Sequence, residues 1–193
     1  MTPWHGEFYV QSAGDNELSY YAATVPISNG KGKLHFDIWR DCVLAWAKRL
    51  RPAHGLAGLT VVMRNDTTDG PNIHLKKYPG LDVQAPLQFS SFVAENVHNR
   101  IKSNNWLTIL GDEIAEELGG PSVLKNALEP DCTVHVYPGG VMIQAGEATA
   151  LGDTDEGRIP ELYKKGCLHH KTGALHELHK KRHLPGRRIF EER

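Results

Sequence analysis

Apolar and polar residues follow patterns in the first third of the chain that predict two strands and one long helix. Residues 8–10 and 18–27 are rich in aromatic and β-branched side chains, and a Gly-Asp-Asn turn separates these two predicted strands. From residue 34 to residue 50 apolar side chains recur every four positions, and Pro52 follows, so we predict a helix that packs this stripe on the core. The stripe consists of Leu34, Ile38, Cys42, Trp46 and Leu50, with Trp39 and Val43 beside it.

The middle of the chain combines a short apolar run with a long polar one. Residues 56–63 are nearly all apolar and predict a single strand. Residues 64–86 are rich in Asn, Asp, Gly and Pro, which predicts a long irregular loop of the kind that is often functional. Residues 88–102 carry apolar side chains at helical spacing and predict a second helix.

The second half of the chain predicts two short helices followed by a β-hairpin. A helix over residues 112–118 ends at Gly119-Gly120, and Pro121 begins the next helix. Residues 132–137 and 141–145 alternate on either side of a Pro-Gly-Gly turn, and an acidic loop follows over residues 146–160. The order of elements predicts an α+β fold, a mostly antiparallel sheet with helices packed on it. We assign residues 1–163 to one compact domain and residues 164–193 to a basic, helix-prone tail rich in His and Lys.

Composition indicates a soluble globular protein of the cytoplasm. The chain has 193 residues, of which 40% are hydrophobic and 23% are charged. It contains neither an apolar run of the ~20 residues that a membrane span needs nor a signal peptide. The three cysteines, Cys42, Cys132 and Cys167, are odd in number and far apart, which argues against a disulfide framework.

Charged residues are distributed unevenly along the chain. Such asymmetry gives information about binding partners and little about the fold. Residues 112–163 hold 11 acidic residues against only Lys125 and Arg158, whereas residues 164–193 hold 9 Lys and Arg against 3 acidic residues. The acidic stretch over residues 112–161 is therefore the first candidate for a partner-binding surface.

Motifs for catalysis or cofactor binding are missing from the sequence. There is no G-x-S-x-G, no phosphate-binding P-loop and no H-E-x-x-H, so we expect neither an enzyme nor a cofactor. Residues 153–157 (DTDEG) resemble the start of a calcium loop, but Lys164 stands where that loop needs a bidentate Glu. We therefore assign no metal site.

The tail leaves two alternative functions open. His176, His179 and His183 would share one helix face and could bind a transition metal in an enzyme, although the surrounding lysines oppose a cation. Lys180-Lys181-Arg182 and Arg187-Arg188 could contact phosphates in a nucleic-acid-binding adaptor. Few aromatic residues are available for stacking there, so we expect no direct binding of nucleic acid. The sequence shows no heptad repeat, and a homo-oligomer stays open.

Several motifs in order along the chain resemble the type VI secretion immunity family, formerly a domain of unknown function. The motifs are NWLTILG at 105–111, ELGG at 117–120, GVMIQAG at 140–146, LGD at 151–153 and, earlier, YPGLD at 78–82 and the helix–loop–strand segment over residues 46–59 with its PAHG loop at 52–55. The matching segments together extend over roughly residues 34–163. The resemblance implies an immunity protein that neutralises a cognate type VI effector toxin by binding it, with a nuclease as the first expectation. The family has no catalytic residues to carry over.

An acidic inhibitor surface would suit a nuclease, because nucleases present basic clefts to grip phosphates. We expect an apolar centre with an acidic rim. The candidate partner-binding residues are the helix face Asp112, Glu113, Glu116 and Glu117 and the loop residues Glu147, Asp153, Asp155 and Glu156.

Overall fold

The computed structural model describes residues 5–13, 16–24, 35–62, 77–84 and 105–165. The predicted helix over residues 88–102 and the tail from residue 166 lie outside these ranges. The strands are β1 (His5–Ala13), β2 (Asn16–Thr24), β3 (His54–Ala57), β4 (Leu59–Val62), β5 (Leu81–Gln84), β6 (Leu107–Gly111), β7 (Thr133–Tyr137) and β8 (Gly140–Gln144). The helices are α1 (Phe36–Leu50), α2 (Asp112–Glu117), α3 (Pro121–Leu128) and α4 (Glu161–Lys165).

A four-stranded antiparallel sheet in the order β3-β6-β8-β7 organises the described part of the chain. β1 and β2 form a separate antiparallel hairpin, and β4 and β5 form a parallel pair. The predicted α+β class with a mainly antiparallel sheet is confirmed. The β7–β8 hairpin is also confirmed, because its alternating residues and its glycine turn are local signals.

The two central strands of this sheet form the core. Every residue of β6 and β8 is buried, which means that both faces of the sheet are covered at these strands. Just before β6, the Trp106 ring lies edge-on to the Phe36 ring of α1 with centroids 5.2 Å apart, and its Nε1 donates to the Gly146 carbonyl at 3.1 Å. Each buried Leu or Ile here stabilises the fold by about 1.5–3 kcal/mol. This core holds α2 and α3, which pack on the sheet.

The predicted strand over residues 56–63 is wrong in extent, because the chain forms two strands there. β3 and β4 are separated by Gly58, where a β-carbon would overlap with the side chain of Asn105. The chain leaves the four-stranded sheet at this glycine, and β4 pairs with β5 instead. β5 falls inside the predicted loop over residues 64–86, so that prediction is wrong for residues 81–84. A four-residue strand whose parallel partner lies about twenty residues earlier has no local signal.

The core-facing side of α1 also differs from the predicted stripe. Ile38 and Leu50 are 56% and 55% exposed, whereas Ala47 is buried and Trp39 and Val43 are half-buried against the core. The packed face is thus rotated towards Trp39, Val43 and Ala47. Ala47 is the buried residue of α1, but alanine is only weakly hydrophobic. A prediction from hydrophobic spacing therefore favours larger side chains such as Ile38 and Leu50.

Candidate partner-binding surface

α2 presents four exposed carboxylates because its two apolar residues anchor it to the sheet. Ile114 and Ala115 are buried, and the helix contacts both β6 and β8. The helix begins directly after β6, where the Gly111 amide donates to the Ala53 carbonyl at 2.8 Å. The exposed residues are Asp112, Glu113, Glu116 and Glu117, which we call the α2 acidic face. All four carboxylates that the sequence places on this helix are thus accessible at the surface.

Three carboxylates of the α2 acidic face stay outside the ion pairs of the described residues. Within the described residues no ion pair involves Asp112, Glu116 or Glu117, and the nearest basic residue in sequence, Lys125, pairs with Glu129 at 4.0 Å. Arg51 lies against Gly139 at the same end of the sheet, but it forms no ion pair with this face in the described structure. These three carboxylates therefore keep a local negative field that an incoming basic group would meet.

The acidic loop around residue 155 is organised differently, since its charges are compensated within the fold. Asp155 pairs with Lys77 at 2.9 Å, and Glu156 accepts from Nε of Arg158 at 2.7 Å. The hydrogen bond to Asp155, together with the fields of Asp153 and Asp155, raises the pKa of Lys77. Sequence patterns could not reveal the Lys77 pairing, because 78 residues separate the two partners.

Asp153 is a buried residue of this loop and not an exposed carboxylate. It is 8% exposed, its Oδ1 accepts the Asp155 amide at 3.0 Å, and its backbone forms an isolated β-bridge with Arg158. This is the geometry of an Asx-turn, in which the aspartate side chain accepts a hydrogen bond from the backbone amide two residues later. Of the four loop residues predicted to contact a partner, Asp153 is therefore buried and does not belong to an exposed acidic surface.

Two backbone hydrogen bonds tie the acidic loop to residues 77–80. The Gly80 amide donates to the Leu151 carbonyl at 2.8 Å, and the Thr154 amide donates to the Lys77 carbonyl at 2.9 Å. Gly80 is buried, and a β-carbon there would overlap with the Ala150 carbonyl oxygen. Together these contacts form a clasp between two segments that are more than seventy residues apart.

The predicted binding residues do not form one continuous group. Glu147 is exposed and follows the end of β8 that pairs with Leu107, whereas α2 begins at the opposite end, where Gly111 pairs with Gly140. The predicted set thus divides into the α2 acidic face and a group of loop carboxylates after β8. Only the strand order and register reveal this division.

Tyr137 is a feature of the α2 end of the sheet that sequence reasoning missed. The side chain is 5% exposed, and its hydroxyl has no hydrogen-bond partner among the described residues. Burial, with a further contribution from the Asp112 carboxylate, raises the pKa of Tyr137 to about 12. At neutral pH the buried phenol is therefore uncharged beside the acidic helix.

Among the described residues no group of three or more His, Cys, Asp or Glu side chains is placed to hold a metal ion. None of the described helices has the length and apolar character to cross a bilayer.

Comparison with known proteins places these features in a family context. The family model described as TsiV, Type VI immunity for VRR-NUC, matches residues 6–169. Among solved structures the chain is similar to Pseudomonas aeruginosa T6SS protein PA0821, with 27% identity and a TM-score of 0.57. The match covers 70% of this chain and 40% of that chain, so it spans less than half of the Pseudomonas protein. No curated protein matches the chain.

Proposed function

The chain belongs to the TsiV family, type VI immunity for VRR-NUC, and on that premise we propose that it binds a cognate VRR-NUC nuclease effector and neutralises it. The observation that carries the proposal is the family match over residues 6–169, which includes the four-stranded sheet and both acidic segments. The structural likeness to a T6SS protein agrees with it. In this function the protein acts by binding alone and contributes no catalytic residue.

Occlusion by the α2 acidic face is the inhibition mode that the geometry supports best. A nuclease must hold phosphates with basic side chains, so its substrate cleft attracts a surface that carries exposed carboxylates. The fold itself gains little from Glu116 and Glu117, which stand at the negative end of the helix dipole. The pairs Asp112/Glu116 and Glu113/Glu117 place like charges at i,i+4 spacing, which costs roughly 0.2–0.5 kcal/mol per pair. Binding of a basic partner would turn that repulsion into attraction.

The loop carboxylates are the weaker part of the proposed contact. Asp155 and Glu156 already have basic partners, Asp153 is buried, and a paired carboxylate projects a smaller field towards a second protein. Glu147 is exposed but lies beyond the other end of β8. We propose these four residues as peripheral contacts. No observation favours the metal-dependent enzyme or the nucleic-acid adaptor, because both would depend on the tail outside the described ranges.

Co-expression with a VRR-NUC effector from the same genome tests the proposal. We expect the intact chain to rescue growth and to form a complex that survives gel filtration. The double variant Glu116→Lys and Glu117→Lys should weaken binding by at least tenfold, because it reverses two exposed charges. Glu129→Lys with Asp131→Lys is the matched control, since it makes the same change of net charge just after α3.

Three outcomes separate the parts of the proposal. Failure of the intact chain to bind or to rescue would overturn the immunity function. Rescue with equal affinity for both double variants would overturn the role of the α2 acidic face alone. A specific loss on Asp155→Lys with Glu156→Lys would move the contact to the acidic loop.

A further inference from the structure

An exposed valine lies beside the α2 acidic face. Val123 is the third residue of α3 and is 49% exposed, whereas Leu124 and Leu128 of the same helix are buried. Its side chain therefore points away from the core that holds the helix. Valine is also a weaker helix former than alanine or leucine, so an exposed valine here adds little to the stability of α3.

Two glycines form the turn that separates Val123 of α3 from the Glu116 carboxylate of α2. Gly119 and Gly120 connect the two helices with left-handed φ angles of 100° and 86°. A β-carbon on Gly119 would lie 3.1 Å from Cγ1 of Val123, and one on Gly120 would lie 3.4 Å from Oε2 of Glu116. Val123 thus borders one glycine of the turn and Glu116 borders the other, and the turn itself carries no side chain. We call Glu116, Gly119, Gly120 and Val123 the glycine corner.

We propose that the glycine corner is the apolar anchor of the effector contact, where an apolar side chain of the effector packs on Val123 beside a lysine or arginine that pairs with Glu116. This inference rests on the proposed immunity function and adds to it the position of the apolar centre. Interfaces concentrate binding energy in a few apolar contacts that a polar rim shields from water. Val123 next to the α2 acidic face has that arrangement.

Charge complementarity favours a basic effector over a second copy of this chain. A twofold-symmetric dimer through the glycine corner would bring the α2 acidic face of one copy close to the same face of its partner. Like charges placed opposite each other oppose such a contact. A basic partner meets no such penalty, because it supplies the cations that Glu116 and Glu117 lack in the described structure.

Paired substitutions at two exposed valines test the anchor. Affinity for the purified effector is measured by calorimetry for Val123→Ala and Val123→Asp, with Val136→Ala and Val136→Asp as matched controls. Val136 is 56% exposed and lies in β7 at the edge of the sheet. We expect Val123→Ala to weaken binding by about tenfold and Val123→Asp by more, as for a central interface residue. The Val136 variants should bind within about twofold of the wild type.

Folding does not confound this experiment. Asp at the third position of a helix interacts favourably with the helix dipole, so Val123→Asp should keep its melting temperature. A double-mutant cycle of Val123→Ala with Glu116→Gln should show coupling, because the proposal assigns both side chains to one contact with the effector.

Each result of the valine experiment has a separate meaning. If the wild-type chain binds no effector, the proposed function fails and this inference fails with it. If the wild type binds and the Val123 variants bind equally well, only the glycine-corner anchor is overturned. If Val123→Asp instead dissolves a homodimer and leaves effector binding unchanged, the occupant of the corner is a second copy and the inference is wrong.

Discussion

Because the hydroxyl of Tyr137 is buried, its ionisation should make the free energy of unfolding depend on pH at alkaline values. An unfolded tyrosine ionises near pH 10, whereas burial and Asp112 raise the pKa of Tyr137 to about 12 in the folded chain. The folded state thus favours the neutral phenol. The corresponding stability is fully present below about pH 10 and is lost as pH rises from about 10 to about 12.

We expect Tyr137→Phe to remove this part of the pH dependence. The difference in unfolding free energy between wild type and variant should change by up to about 2 kcal/mol between pH 9 and pH 12, measured by urea denaturation. At pH 7 the variant should be no less stable, since it removes a buried polar group that has no described partner. A loss of several kcal/mol at pH 7 would show that the hydroxyl has a partner outside the described residues.

At the scale of single elements, α2 combines a weak helix with a strong charge pattern. The helix has only six residues, and no basic residue lies in its last turn to interact with the negative end of its dipole. Glu116 and Glu117 stand at that end and face Asp112 and Glu113 one turn earlier. The acids of the last turn therefore oppose the stability of the element that presents them.

Glu116→Gln with Glu117→Gln should separate stability from binding. We expect the variant to unfold at an equal or higher temperature, with a gain of roughly 0.5–1 kcal/mol from reduced repulsion between like charges. Its affinity for the effector should fall. Differential scanning calorimetry and calorimetric titration of the same samples provide the two measurements. A variant that is both less stable and weaker in binding would mean that these glutamates support the fold.

Local sequence signals predicted the elements that are stabilised by neighbouring residues. Pro121 begins α3, the Gly119-Gly120 turn ends α2, and the residues around Gly139 form the β7–β8 hairpin, because turn and cap chemistry needs only adjacent residues. The parallel β4–β5 pair and the Lys77–Asp155 ion pair were missed, because both join distant segments. The acidic residues of the candidate site were predicted from composition, but the register of β8 decides which of them lie together.

At the scale of the whole molecule, the clasp at Gly80 joins the middle of the chain to the acidic loop. Gly80→Ala should disrupt it, because the added methyl overlaps with a backbone carbonyl that no side-chain rotation can move away. We expect a loss of about 2 kcal/mol or more, and faster proteolysis within residues 146–160. Gly157→Ala is the control, because its β-carbon meets no atom within 4 Å and costs only the left-handed backbone penalty of about 1 kcal/mol. Equal losses for the two variants would show that the clasp adds no constraint.

The position of β8 between β6 and β7 governs when a growing polypeptide can complete the four-stranded sheet. On the ribosome β6, α2, α3 and β7 all emerge before β8, yet β7 joins the sheet only through β8, and α2 rests on β6 and β8 together. A nascent chain that ends before residue 140 therefore has the acids of α2 without β8, one of the two strands on which that helix packs. Under the proposed function, a cell gains immunity from completed copies and none from chains still in translation, so its protection depends on a reserve made before the toxin arrives.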